Sequence, residues 1–174
     1  ENNTIYHNGS GILNQYGATS SGNVYRNNTL YGNTNFNPSA NSIVENNKIY
    51  ATTNIAANTT AVNNVFTTVA ISGTNTTFAN NNVSGTVTVK GNNNSIEDNI
   101  IVSAGDYAVD LQSTTGNTVT GNYLASNSYY GDAAVKYSGE NIVENNEPSI
   151  VITVAADTVW IGSNGTVTVT VVNC

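Results

Sequence analysis

Val44-Glu45-Asn46-Asn47-Lys48-Ile49-Tyr50 reads as an apolar residue, two positions, Asn, one position, an apolar residue and an aromatic one. The same order recurs at Tyr25…Asn28…Leu30-Tyr31, Phe78…Asn81…Val83, Ile96…Asn99…Ile101 and Val119…Asn122…Leu124. Weaker copies stand at Asn3…Ile5-Tyr6, Asn63…Val65-Phe66 and Val143…Asn146. The recurrent Asn falls at 3, 28, 47, 63, 81, 99, 122 and 146, in steps of 25, 19, 16, 18, 18, 23 and 24 residues. A repeat of that length, carrying strand-type residues, predicts one coil of a solenoid per repeat.

Coils stacked in register place identical positions about 4.8 Å apart along the axis. An Asn side chain carries one carbonyl acceptor and an amide donor. A column of Asn28, Asn47, Asn63, Asn81, Asn99 and Asn122 is therefore expected to form a hydrogen-bonded ladder, as stacked Asn does in cross-β assemblies. Asn also tolerates the left-handed backbone of a sharp corner, and the ladder residue is expected to take it. In Asn-x-Ile, alternation places both side chains on one face of a strand, one closing the corner and one filling the core.

The composition agrees with a polar-coated β protein. Only 9% of the 174 residues are charged, far below the usual quarter, and Asn, Thr, Ser and Gly fill the surface instead. Hydrophobic residues make up 39% and keep fixed offsets from the Asn, which argues against disorder. Eleven acids against four bases give a net charge of −7 and disfavour nucleic acid as a partner. Cys174 is the only cysteine, so no internal disulfide is expected. No signal peptide or spanning segment is evident. Glu1 opens inside a repeat and Cys174 closes inside a strand pattern, so the chain is expected to be a piece of a longer one.

Most repeats hold a second apolar run: Ile55-Ala56, Val69-Ala70-Ile71, Val87-Thr88-Val89, Tyr107–Leu111 and Ala133–Tyr137. Gly91-Asn92-Asn93-Asn94 and Ser113–Asn117 read as turns between runs, and Asn8–Gly22 as a long Gly- and Ser-rich excursion. No segment has helical periodicity. The expected fold is all-β: a parallel β-helix over residues 1–148, of about seven coils and some 30–35 Å long. The crossover rule makes it right-handed. After Pro148 the ladder Asn disappears, and Ile150–Val154, Val159–Ile161 and the alternating Thr166–Val172 read as strands. Residues 149–174 are expected to be a C-terminal cap sealed by Trp160, or the first strands of an immunoglobulin-like domain. Strand addition between neighbouring chains through Thr166–Val172 is the other reading of that segment.

Val44-Glu45-Asn46-Asn47-Lys48-Ile49, Asn117-Thr118-Val119-Thr120-Gly121-Asn122-Tyr123-Leu124 and Asn141-Ile142-Val143-Glu144-Asn145-Asn146 resemble the right-handed parallel β-helix repeats of pectin-lyase-like proteins. Together with the Asn- and Thr-rich style and Asn164-Gly165-Thr166-Val167-Thr168-Val169, the chain resembles the large adhesin-like surface proteins of methanogenic archaea. The resemblance implies an extracellular, cell-surface location and a role in adhesion rather than a reaction. Implied partners are cell-surface glycans or the surface proteins of another cell. A lyase of the β-helix class is expected to gather Arg or Lys with Ca²⁺-binding acids on one face. Here Arg26 stands alone and the three Lys are scattered.

Three groups of residues invite a chemical reading. Tyr6, Tyr31, Tyr50 and Phe66 follow the core aliphatic residue of consecutive coils and are expected to form an aromatic column on the face opposite the core. Such a column could stack on sugar rings or simply pack coil on coil. Glu1, Arg26 and Glu45, two before the ladder Asn, should stack with alternating sign, as a ligand-binding strip or as surface ion pairs.

Gly105-Asp106-Tyr107-Ala108-Val109 and Gly131-Asp132-Ala133-Ala134-Val135 repeat one pattern. Stacking would bring Asp106 and Asp132 within about 5 Å, with Tyr107, Tyr129 and Tyr130 nearby as ligand-binding candidates. Such a pair reads as a site for Ca²⁺ or another hard cation, as the carboxylates of a polysaccharide hydrolase, or as two solvated acids at turns. Asp110 and Lys136 follow the paired Val residues and should neutralise one another. No organic cofactor is called for. His7 is the only histidine, so neither a Ser-His-Asp triad nor a zinc cluster finds support. Of the Asn-x-Ser/Thr sequons, Asn8, Asn93 and Asn164 are the favoured acceptors if the chain is glycosylated.

Overall fold

The computed structural model describes residues 1–6, 21–148, 150–153 and 170–173. Each repeat supplies strands to two parallel sheets that wind around one core. The first sheet runs through Thr4–Tyr6, Thr29–Phe36, Lys48–Ile55, Val65–Ile71, Val87–Val89, Val109–Asp110 and Val135–Lys136. Asn82–Val83, Ile100–Val102 and Tyr123–Ala125 extend the same sheet. The second sheet stacks Val24–Arg26, Ile43–Glu45, Thr60–Val62, Thr77–Ala79, Ser95–Glu97, Thr118–Thr120 and Ile142–Glu144. The architecture is an all-β parallel solenoid, as the repeat predicts.

Alternation decides what each strand buries. In the first sheet the in-register column Ile5, Leu30, Ile49, Phe66, Val83, Ile101, Leu124 points inward. In the second sheet the facing column is Tyr25, Val44, Ala61, Phe78, Ile96, Val119, Val143. The columns trade volume: Ala61 sits where Phe66 is large, and Phe66 stacks on Phe78 of the next coil with centroids 5.7 Å apart. Parallel strands buried in this way recover the free energy of apolar burial along the whole stack.

The Asn ladder is continuous, with one correction. Its members are Asn3, Asn28, Asn47, Asn64, Asn81, Asn99, Asn122 and Asn146. Each one through Asn122 donates its backbone N–H and its Nδ2 to the Oδ1 of the next, at 2.8–3.1 Å. The fourth member is Asn64, not Asn63. Asn63 lies outside at φ 58°, whereas Asn64 is buried. The one-residue slip also moves Phe66. It pairs with Ile49 in the core rather than continuing the outer column from Tyr50.

The left-handed role likewise belongs to the residue before each ladder Asn. Asn2, Asn27, Asn46, Asn63, Asn80, Asp98, Gly121 and Asn145 all have φ between 54° and 67°. The corner is made by one residue and closed by the next.

A second corner obeys the same rule five residues earlier. Gly22, Asn41, Asn58, Asn75, Asn93 and Gly116 have positive φ. The residues that follow include the buried Ser42, Thr59, Thr76, Asn94 and Asn117. From Thr76 onward this column is a ladder too. Thr76 N–H donates to Asn94 Oδ1 at 2.8 Å, Asn94 N–H to Asn117 Oδ1 at 2.9 Å, and Asn117 N–H to Asn141 Oδ1 at 3.0 Å. Asn94 Nδ2 is buried with no partner among the described residues, beside the point where the Asn run gives way to Thr76.

Beyond Pro148, residues 150–153 pair antiparallel with 170–173 as a separate two-stranded sheet. Trp160, the Val159–Ile161 strand, Asn164 and Cys174 lie outside the described residues. So do His7, Asn8 and the excursion up to residue 20.

Candidate functional site

The two expected aromatic and acidic groups meet different fates. Tyr6, Tyr31 and Tyr50 are in register on successive strands of the first sheet, and Tyr31 and Tyr50 are exposed. Phe66 has left that column for the core, as described above. At the N-terminal end of the other sheet, Arg26 bridges the expected acids. Its Nε lies 2.8 Å from Glu45 Oε2 and its Nη1 3.2 Å from Glu1 Oε1. The hydrogen bond and charge of Glu45, followed by the charge of Glu1, raise the Arg26 pKa above its ordinary value. These are solvent-facing ion pairs, and each carboxylate already has its partner.

The tyrosines near the C-terminal end are gathered by two loops. Residues 103–108 and 126–134 leave the first sheet in consecutive coils, because the ladder steps there are 23 and 24 residues, against 17–19 between Asn28 and Asn99. Ser126 locks the loops together. Its Oγ donates to Asp106 O at 2.9 Å and accepts from Tyr129 N–H at 2.8 Å. Asn127 N–H donates to Gly105 O at 3.0 Å. Beneath, Ser103 Oγ and Thr86 Oγ1 share a hydrogen bond of 2.7 Å, and Thr86 Oγ1 donates to Tyr107 O at 3.0 Å.

The result is a stacked pair, Tyr107 on Tyr129, with centroids 5.1 Å apart and planes at 18°. Tyr130 is exposed beside it and bridges back to Ala125. Lys136 Nζ lies 6.0 Å from the Tyr107 ring and 3.9 Å from Asp110 Oδ2, the neutralising pair expected from sequence. Tyr129 beside it, with partial desolvation and the charges of Asp106 and Asp110, holds the Tyr107 phenol above the ordinary tyrosine range.

Asp106 and Asp132 hold equivalent places in those loops, but Asp132 has a structural task. It stands in the short 3-10 turn Gly131–Ala134. Its Oδ1 accepts from Asn146 N–H at 3.0 Å and from Asn146 Nδ2 at 2.7 Å. These are the same two bonds that every earlier ladder Asn gives to the next. A carboxylate thus ends the ladder where the next Asn would stand. Asp106 is exposed, and its backbone carbonyl serves Ser126. Among the described residues no three of His, Cys, Asp and Glu come together as a metal-binding group.

Sequence reasoning passed over Ser103, Ser126 and the second corner column. Ser103 and Ser126 each stand four residues after a ladder Asn. The second column stands five residues before one: 42/47, 59/64, 76/81, 94/99, 117/122 and 141/146. That fixed offset was the available signal. It is obscured because the column changes from Ser42 through Thr59 and Thr76 to Asn94, Asn117 and Asn141.

No family model matches this chain, and no match is found among the curated proteins or the solved structures.

Proposed function

We propose that this chain is a non-catalytic module of a large extracellular, cell-surface protein, a rigid adhesin or stalk segment that holds exposed tyrosines toward a partner surface. The observation that carries this reading is the use of Asp132. The carboxylate on which a catalytic pair depends is engaged, through Oδ1, by both donors of Asn146. The ladder and the paired core columns add a stiff scaffold, and Tyr31, Tyr50, Tyr123, Tyr129 and Tyr130 stand on its outside. The resemblance of its repeats to archaeal adhesin-like proteins supports the surface location and partners such as glycans or surface proteins of another cell.

The second reading is a carbohydrate-active enzyme, a polysaccharide hydrolase or lyase using Asp106 and Asp132. Its support is placement: Asp106 adjoins Tyr107, and Asp132 lies in the loop that carries Tyr129. A polysaccharide panel assayed for released reducing ends and unsaturated products separates the two. The proposed module yields no turnover. Turnover by the wild type that is lost in Asp132→Asn, with the fold intact, overturns the proposal.

The same reading assigns residues 149–174 to covering the last coil or opening an immunoglobulin-like domain. Val143, the last residue of the second core column, is only partly buried, whereas Val44 to Val119 in that column are fully buried. An edge of that kind needs a cover in a protein that stays monomeric.

A further inference from the structure

We infer that the outer face formed by Ile100, Val102, Tyr123, Tyr129 and Tyr130 is a binding site for a neutral polysaccharide chain. The inference rests on the non-catalytic surface reading and names its ligand class. These five residues are 41–51% exposed; Ile100, Val102 and Tyr123 stand on strands whose intervening residues Ile101 and Leu124 are fully buried, and Tyr129 and Tyr130 on the loop that follows. Backbone pairing joins Ile100, Val102, Tyr123 and Tyr130. Ile100 is in register with Tyr123, Val102 with Ala125, and Ala125 bridges Tyr130. Tyr129 adjoins Tyr130 and stacks on Tyr107.

The face is preorganised. Strands hold one half of it, and Ser126, Ser103 and Thr86 pin the loops of the other through hydrogen bonds of 2.7–3.0 Å. Binding to such a face orders little that is not already ordered, which lowers its entropic cost.

Charge selects the occupant. Lys136, the cation over Tyr107, is held 3.9 Å from Asp110, and Asp106 and Asp132 stand in the same two loops. An anionic polymer would meet carboxylates here instead of free cations. A neutral sugar chain meets no such repulsion. Its C–H faces pack on phenol rings, and its hydroxyls reach the polar rim of Asn82, Ser84, Asn127 and Ser128, which are all exposed. Alternation along the strands sets Ile100 and Val102 on the same side as Tyr123, so the platform is broad enough to meet a chain rather than a single ring.

The test is affinity electrophoresis of the full chain through gels holding mannan, laminarin, hydroxyethylcellulose or polygalacturonate. At least one neutral polymer should retard the wild type, and polygalacturonate should not. Tyr129→Ala and Tyr123→Ala should each weaken retardation about tenfold or more, while Val24→Ala and Ile43→Ala, at exposed positions of the second sheet, leave it unchanged. Tyr123 lies on a regular strand, so it tests the face even where Tyr129→Ala loosens its loop; circular dichroism checks both. Retardation by polygalacturonate alone, retardation that survives both substitutions, or none with any neutral polymer overturns the inference. Released sugar in the same gels would overturn the non-catalytic reading instead, so the two failures are told apart.

Discussion

Asn63 and Asn64 are adjacent and chemically identical, yet one is outside in a left-handed turn and the other is in the ladder. Asn64 donates through Nδ2 to Val44 O and Asn81 Oδ1 and accepts from Asn47, so its loss leaves buried groups unpaired. Asn64→Leu is expected to cost about 1–3 kcal/mol in a urea titration. Asn63→Gly, which keeps the positive φ available, should stay within about 0.5 kcal/mol of the wild type. The reverse order would put Asn63 back in the ladder.

Tyr107 supplies a pH marker. Tyr129 is the largest cause of its raised pKa, so Tyr129→Phe should return one tyrosine toward the ordinary value of 10.0. Ring-carbon NMR shifts followed through alkaline pH read this directly. A raised folded pKa means that the contribution of this pair to stability is full below the ordinary tyrosine range. It is lost as pH rises through the folded value. Loss of stability already at neutral pH would contradict the assignment.

The strands of the coils are short, and the corners between them do much of the specifying. Each corner joins a residue with positive φ to an inward polar residue, so the chain turns and its backbone donors are satisfied in one step. Close approach matters as well. A Cβ on Gly91 would stand 1.8 Å from Gly73 O, so the backbones of successive coils touch at that turn and no side chain fits. The turn Gly131–Ala134 ends the ladder by placing Asp132 under Asn146. Asp132→Ala removes that acceptor and is expected to cost about 1–2 kcal/mol, seen as a lowered denaturation midpoint. Asp132→Asn retains an Oδ1 and should cost less than Asp132→Ala. Equal losses in the two variants would argue against a ladder-terminating role.

As a whole, the solenoid is a one-dimensional stack in which each coil rests on its neighbours, so its ends are its weakest parts. Asp132 satisfies the hydrogen bonds of the last ladder Asn, but it does not bury Val143. Removal of residues 149–174 is therefore expected to lower stability by about 1–3 kcal/mol in a denaturant titration. Unchanged stability in a soluble monomer would overturn the covering role. A concentration-dependent polymer formed by the intact chain and abolished by the truncation would assign those residues to strand addition between molecules instead.

The fold was legible because it is written in local offsets. Asn47-Lys48-Ile49 and its copies state a period, a strand alternation and a hydrogen-bonding residue, and stacking needs little more. The ion pairs Glu1–Arg26–Glu45 and Asp110–Lys136 were legible for the same reason, since register follows from the repeat. What sequence left open were choices between neighbours. Asn63 and Asn64 carry the same side chain, and only the pairing of Ile49 with Phe66 separates corner from ladder. Asp132 reads equally well as an acid at a turn or as half of a catalytic pair. Its bonds to Asn146 span 14 residues across a loop whose path no periodicity describes. The Tyr107–Tyr129 stack likewise depends on two irregular loops meeting through Ser126. The sequence alone determined the periodic part, because a repeated local rule has one stacked solution. Tertiary structure decided the aperiodic insertions, because their contacts are made once and are specified by packing across coils.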